Sequence, residues 1–159
     1  MQLETSRFGT VEYGPNDVIT FTQPILGFQE FRRFILLPGP QGNAVRWLQS
    51  TDKGDLAFII MDPRQIVPEY ALELGAHELT ELAVTKVEEL EVYTLVVVPH
   101  DSTQVRTNLR APILISLKHR LAKQTILERS DYPIQFYLAP RAQQGDKTPK
   151  EATHARSDA

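Results

Sequence analysis

Apolar residues in this chain come in short runs, and almost none of those runs keeps a helical period. Val11 and Tyr13 alternate with Thr10 and Glu12, and Ile19 and Phe21 with Val18 and Thr20. Ile134, Phe136 and Leu138 alternate in the same way with Gln135 and Tyr137. A period of two is the mark of a strand with one face covered. Phe34 to Leu37, Ala57 to Met61, Tyr93 to Val98 and Ile113 to Leu117 are apolar on both parities. They suit strands covered on both faces, or strands passing from a sheet face into a barrel interior. Tyr70, Leu72 and Leu74 make one more strand candidate. Turn residues separate the runs: Gly14-Pro15-Asn16-Asp17, Pro38-Gly39-Pro40-Gln41-Gly42-Asn43, Asp52-Lys53-Gly54 and Asp62-Pro63. Only Ala76 to Ala83 reads as a helix, and two turns are marginal without tertiary packing. The expected fold is all-β: a small antiparallel barrel, closed or nearly so, with at most one or two short helices.

Its 159 residues suit one domain, and 42% hydrophobic residues suffice for a sizeable core. The boundary is sharp. From Ala139 to Ala159 there is no Val, Ile, Leu, Met or aromatic residue, so residues 1–138 are expected to form the barrel and 139–159 a polar, disordered tail. The absence of cysteine removes disulfide scaffolds and thiolate sites and fits a reducing cytoplasm. The N-terminus has no basic segment followed by an apolar one, and Leu95 to Val98 is far too short to cross a membrane. A soluble, cytoplasmic protein is expected.

Catalytic patterns are missing. His77, His100, His119 and His154 are scattered without ligand spacing, and His100-Asp101 follows a strand in what reads as a solvated loop. Gly9 and Gly14 have the spacing of phosphate-loop glycines, but Pro15 follows where lysine is required. Adjacent Glu88 and Glu89 would face opposite ways on a strand and could not share a proton. No enzyme, cofactor or metal is expected. Gly27 reads as a turn residue with positive φ, Phe28 and Phe31 as core or loop anchors, and Trp47, in step with Val45, as core.

Net charge is −3, opposite in sign to a nucleic-acid binder. Its distribution says more. Between Asp62 and Glu91 eight acids, Glu69, Glu73, Glu78 and Glu81 among them, face only Arg64 and Lys86. From Lys118 to Arg129 the sign reverses, with Lys118, Arg120, Lys123 and Arg129 against Glu128. Glu69, Glu73, Glu78 and Glu81 are therefore candidates for a surface that steers a basic protein partner, against the plainer account of two solvated faces. The competing class is a small barrel binding single-stranded nucleic acid through the basic run, but aromatic residues stay away from that run until Tyr132.

Three segments bear a family resemblance: Pro24-Ile25-Leu26-Gly27-Phe28-Gln29-Glu30; Trp47-Leu48-Gln49-Ser50 with Leu56 to Ile60 and Asp62-Pro63; and Thr107-Asn108-Leu109-Arg110-Ala111-Pro112 with Lys123-Gln124-Thr125-Ile126-Leu127 and Tyr132-Pro133-Ile134. In this order and spacing they resemble the flagellar assembly factor FliW family. Ser116, Ala122 and Gln29 depart from residues the family often has there. The resemblance implies the same barrel-like fold and a monomeric, cytoplasmic regulator that is not an enzyme. It implies two partners, newly made flagellin and the dimeric RNA-binding repressor CsrA, whose capture by free FliW relieves repression of flagellin translation. It implies no direct nucleic-acid or membrane contact. Gly27, Phe28, Gln49, Ser50, Asn108, Leu109, Ala111, Pro112 and Gln124 are the matched motif residues, and their chemistry points mainly to scaffold. Asn108 is expected to hydrogen-bond the turn before Ala111 and Pro112.

Overall fold

A computed structural model describes residues 1–39 and 42–138. The tail expected from Ala139 onward, and the Pro40-Gln41 part of one expected turn, lie outside these residues. Eleven strands follow in order: β1 (Gln2–Thr5), β2 (Gly9–Glu12), β3 (Ile19–Gln23), β4 (Arg33–Gly39), β5 (Gly42–Ser50), β6 (Ala57–Met61), β7 (Glu91–Val97), β8 (Arg106–Thr107), β9 (Ile113–Ser116), β10 (Leu121–Gln124) and β11 (Phe136–Tyr137). A single short helix, α1, spans Ala76–Glu81. β3 to β7 form an antiparallel run, β9 pairs with β7, β10 pairs with β9, and β10 returns to β3. The ring β3-β4-β5-β6-β7-β9-β10 is therefore closed, as the turn-punctuated short strands predict. One joint departs from the antiparallel expectation: β10 runs parallel to β3. β8 and β11 extend the sheet from β7, and β1–β2 is a separate hairpin.

Inward side chains fill the ring. Ile19, Phe21, Phe34, Leu48, Ile60, Tyr93, Ile113, Ile115 and Ala122 make one cluster, capped by Ile25 and by the half-buried Phe28. A second layer explains why β7 and β9 are apolar on both parities. Val92 and Leu114 face outward, yet are buried against Tyr70, Leu82, Val84, Leu90, Leu109 and Leu127. The segment between β6 and β7 thus lies across the outside of the barrel.

Three expectations change here. Tyr70 to Leu74 is not a strand. Its side chains still pack into the outer layer, but the Ala71 N–H is donated to the Tyr132 hydroxyl (2.9 Å) rather than to a ladder. The closing strand shortens to Phe136–Tyr137, leaving Ile134 exposed. Trp47 also sits differently: it is half-buried on the outer face, edge-on to Phe8 at 5.4 Å with the Arg7 guanidinium 4.6 Å from its ring. The β1–β2 hairpin supplies that cover.

The hairpin docks on the turn between β5 and β6. Buried Gln49 turns its amide N–H2 towards the carbonyls of Ser50, Gly54 and Leu56 (3.0 to 3.2 Å), and Ser50 Oγ accepts from the Asp52 and Lys53 amides. With only two protons to share among those carbonyls, the Gln49 amide acts as a common clasp for the turn. Gly54 O then accepts from Ser6 N (3.1 Å), and a Cβ on Gly54 would fall 2.0 Å from Glu4 O. Gly54→Ala should therefore push the hairpin off its seat at a cost of about 1–3 kcal/mol. The expected outcome is a melting temperature lower by several degrees and a red-shifted emission from Trp47, the one tryptophan. Unchanged emission and melting would show that the hairpin does not depend on this approach.

Candidate functional site

At one end of the barrel the motif residues other than Gln49 and Ser50, which hold the β5–β6 turn, build a single junction. Ile25 to Phe28 is a turn closed by Phe28 N–H to Ile25 O (2.9 Å), with Gly27 at φ +88°. No atom lies within 4 Å of a Cβ built on Gly27, so the requirement for glycine there comes from the backbone angle and not from crowding. Phe28 packs edge-on against Phe58 at 4.9 Å, which seats the turn on the barrel end. Gln124 then ties the turn to the far segment: its Oε1 accepts from Leu26 N (3.0 Å) and its Nε2 donates to Ala111 O (3.0 Å).

The segment Thr107 to Pro112 is shaped by Asn108, whose Oδ1 accepts from the amides of Arg110 (2.9 Å) and Ala111 (3.2 Å). That local bond pair makes the bend, and Pro112 starts the straight run into β9. Buried Leu109 contributes its carbonyl to the Tyr70 hydroxyl (2.6 Å) and its amide to Pro133 O (3.1 Å). Burial, with Tyr132 stacked at 4.5 Å, holds the Tyr70 phenol well above its usual pKa, so it remains a proton donor. Pairing of the β9–β10 type continues past the strand ends: Thr125 N–H reaches Pro112 O (3.0 Å) and Leu127 N–H reaches Arg110 O (2.7 Å).

Beside this junction lies a groove of about 880 Å³. One wall is Ala71 to Glu78, the other Ile126 to Tyr132. Thr125 and Leu127 are buried, whereas Ile126, on the alternate parity with Gln124, is 50% exposed at the lip. Leu26, held against Gln124, is 60% exposed. Neither residue is marked by composition. The signal that could have found Ile126 is an aliphatic side chain at the outward position of a Thr-Ile-Leu alternation.

The four acids offered as a surface for a basic partner are placed in two ways. Glu69 and Glu73 are exposed. Glu78 and Glu81, one helical turn apart on α1, turn inward onto Lys123, which is only 8% exposed: Lys123 Nζ lies 3.0 Å from Glu81 and 3.8 Å from Glu78. Thr22 donates to Glu81 (2.7 Å), and Thr125 donates to Glu78. The physical reason is that a buried ammonium needs counter-charge, and a two-turn helix with acids three apart delivers both to one face. Lys123 is thereby also removed from the basic run. Among the described residues no group of three or more histidines or acids is placed to hold a metal. The His100-Asp101 pair is a turn element: Asp101 accepts from Thr103 N and Oγ1 (3.0 and 2.7 Å).

Burial pushes the Glu81 carboxyl up, but the bonds from Thr22 and Lys123 together outweigh it and hold its pKa below the ordinary value. A depressed carboxylate contributes stability that is present above its unfolded pKa of about 4.3 and is lost as pH falls through its folded pKa. Urea midpoints taken from neutral pH down through that window should therefore fall, and fall less steeply for Glu81→Gln. Parallel curves for the two proteins would remove this contact as a pH-sensitive one.

Comparison with known proteins matches residues 2–138 to the family described as FliW protein. The flagellar assembly factor FliW of Thermoanaerobacter pseudethanolicus is 36% identical over 135 residues, covering 84% of this chain and 90% of that protein. Those of Bdellovibrio bacteriovorus (33%, covering 91% and 82%) and Moorella thermoacetica (37%, covering 87% and 88%) are similar. A crystal structure of the flagellar assembly factor FliW superposes with a TM-score of 0.81 at 30% identity, covering 89% of this chain and 99% of that one.

Proposed function

We propose that this chain, which belongs to the FliW protein family, is a non-enzymatic flagellar assembly factor that works in the cytoplasm by binding flagellin and the RNA-binding regulator CsrA in turn. The observation that carries the reading is the span of the family match, which takes in the whole closed barrel from β1 to β11. The relatives' working unit is therefore the same unit described here. The chemistry of the motif residues agrees with it. The Gln49 amide N–H2, Ser50 Oγ, Asn108 Oδ1 and the Gln124 amide bond to backbone groups, which is scaffold work and leaves the surface for partners. No helix among the described residues is long and apolar enough to cross a membrane.

Control by such a protein is a competition. Two ligands drawing on one pool of the barrel lower each other's apparent affinity, by the same factor if the exclusion is thermodynamic. The exposed carboxylates Glu69 and Glu73 favour a basic regulator as one of the two. A nucleic-acid ligand is disfavoured because Lys123 is already neutralised by Glu78 and Glu81.

Calorimetry of the full chain with purified flagellin and with CsrA from the same genome tests this. Both should bind, and saturating flagellin should weaken CsrA binding. Glu69→Lys with Glu73→Lys should slow CsrA association and flatten its salt dependence, and truncation after Leu138 should change neither affinity by as much as tenfold (about 1.4 kcal/mol). If neither protein binds, the reading is wrong.

A further inference from the structure

The segment from Gln124 to Leu127 is a strip with one edge in use; on the other, the Ile126 carbonyl accepts from Glu128 N (3.1 Å) and the Ile126 N–H is left over. Thr125 and Leu127 donate their amides to Pro112 and Arg110, so in an antiparallel pairing the Ile126 N–H points the opposite way. It meets no acceptor among the described residues. Its side chain is half exposed, and Leu26, fixed by the Gln124 clip, adds a second exposed aliphatic on the same side. Single exposed aliphatics are ordinary on a protein surface. Here Ile126 lines the groove and Leu26 is tied by its amide to Gln124 on the same strip, which four hydrogen bonds hold, so the two are not scattered in that way.

The charge around the groove is net negative. Glu73, Glu128 and Asp131 line the groove, are exposed and make no ion pair among the described residues, against Arg129 and the exposed His77. A low-dielectric trough rimmed with carboxylates raises the local concentration of cationic groups and discriminates against anionic ones. The volume alone would suit a small molecule. Leu26, however, is not part of the groove lining, and a ligand enclosed in the groove and reaching Ile126 would still leave Leu26 uncovered. A polypeptide would cover all three, a backbone carbonyl on the Ile126 N–H, an aliphatic side chain on the lip and basic side chains at the rim.

We infer that the Leu26–Ile126 lip and the adjoining acid-rimmed groove form the docking site for an extended, basic segment of a protein partner that carries an aliphatic anchor. This rests on the reading that the chain acts by binding proteins, and it assigns the surface and the peptide chemistry that reading leaves open. The groove borders the Glu78–Lys123–Glu81 cluster, which shares Glu78 with its wall and holds one carboxylate more than Lys123 balances.

Methyl and amide NMR of the full chain, titrated with a short peptide of lysines around one leucine, tests it directly. The methyl signals of Leu26, Ile126 and Leu74 and the Ile126 amide should shift saturably, less so as salt is raised, and not with the glutamate analogue. Ile126→Ser and Leu26→Ser, both at exposed positions, should keep the melting temperature and weaken the peptide by about tenfold. The same variants should weaken whichever of flagellin and CsrA uses the site. Shifts centred elsewhere, or equal binding of the acidic peptide, would overturn the inference. So would sedimentation showing a dimer that Ile126→Ser dissolves, because the occupant would then be a second copy. If both proteins bind the wild type and neither variant weakens either one, the groove fails while the proposed function stands. If the peptide binds at the lip and neither protein binds, the opposite holds.

Discussion

The whole structure depends on β10 being held between β3 and β9. That strand is the last to enter the ring, and it pairs parallel on one side and antiparallel on the other. A parallel pairing needs a long connection between its two strands, and here nearly all of the barrel lies between them. Closure removes the free edges that an open antiparallel sheet of this size would expose. It also sets the geometry of everything attached to the strand. Successive residues of β10 point opposite ways: Ala122 into the barrel core, Lys123 out to α1, Gln124 back towards the Ile25–Phe28 turn.

Lys123 and Gln124 therefore do different work from adjacent positions. The lysine anchors the outer layer through charge, and burying it unpaired would cost several kcal/mol, so α1 and its two glutamates are needed in register. The glutamine joins two loops far apart in sequence through one amide, using both its acceptor and its donor. Between them they fix the strip from Gln124 to Leu127, with Thr125 and Leu127 inside and Ile126 at the lip. The same bonds that stabilise the barrel end thus present an aliphatic side chain and an open backbone donor to solvent. Ser116 and the positive-φ Arg120 serve the tight β9–β10 turn that makes this possible, with Ser116 Oγ accepting from His119 N (3.3 Å).

Strand parity and turn residues carried most of the barrel, because inside-outside alternation and Gly/Pro punctuation are local properties. Ile113 to Leu117 is apolar on both faces since Leu114 really is covered on the outside. What covers it was not legible. Tyr70 to Leu74 alternates like a strand, and only the Tyr132 hydroxyl and the outer apolar layer, both contributed from afar, decide that it lies flat on the barrel instead. The acidic run was legible as charge but not as geometry: the partner of Glu78 and Glu81 is a lysine more than forty residues away, in a stretch that reads as solvated. Asn108, Gly27 and the Gln49-Ser50 pair act within a few residues of themselves, and their roles could be read from local chemistry. Gln124 acts at long range, and its role could not.

This barrel end is proposed to meet its protein partner through the free N–H and exposed side chain of Ile126. Hydrogen–deuterium exchange on the chain alone, with flagellin and with CsrA addresses that directly, and at least one of the two should protect the site. Exchange should slow at Ile126, in the turn around Leu26 and Gly27 and along Leu74 to Glu78, with the rest of the barrel unchanged. Protection confined in both complexes to another surface, such as the exposed Val97 and Val98 at the end of β7, with Ile126 exchanging as fast as in the free protein, would contradict it.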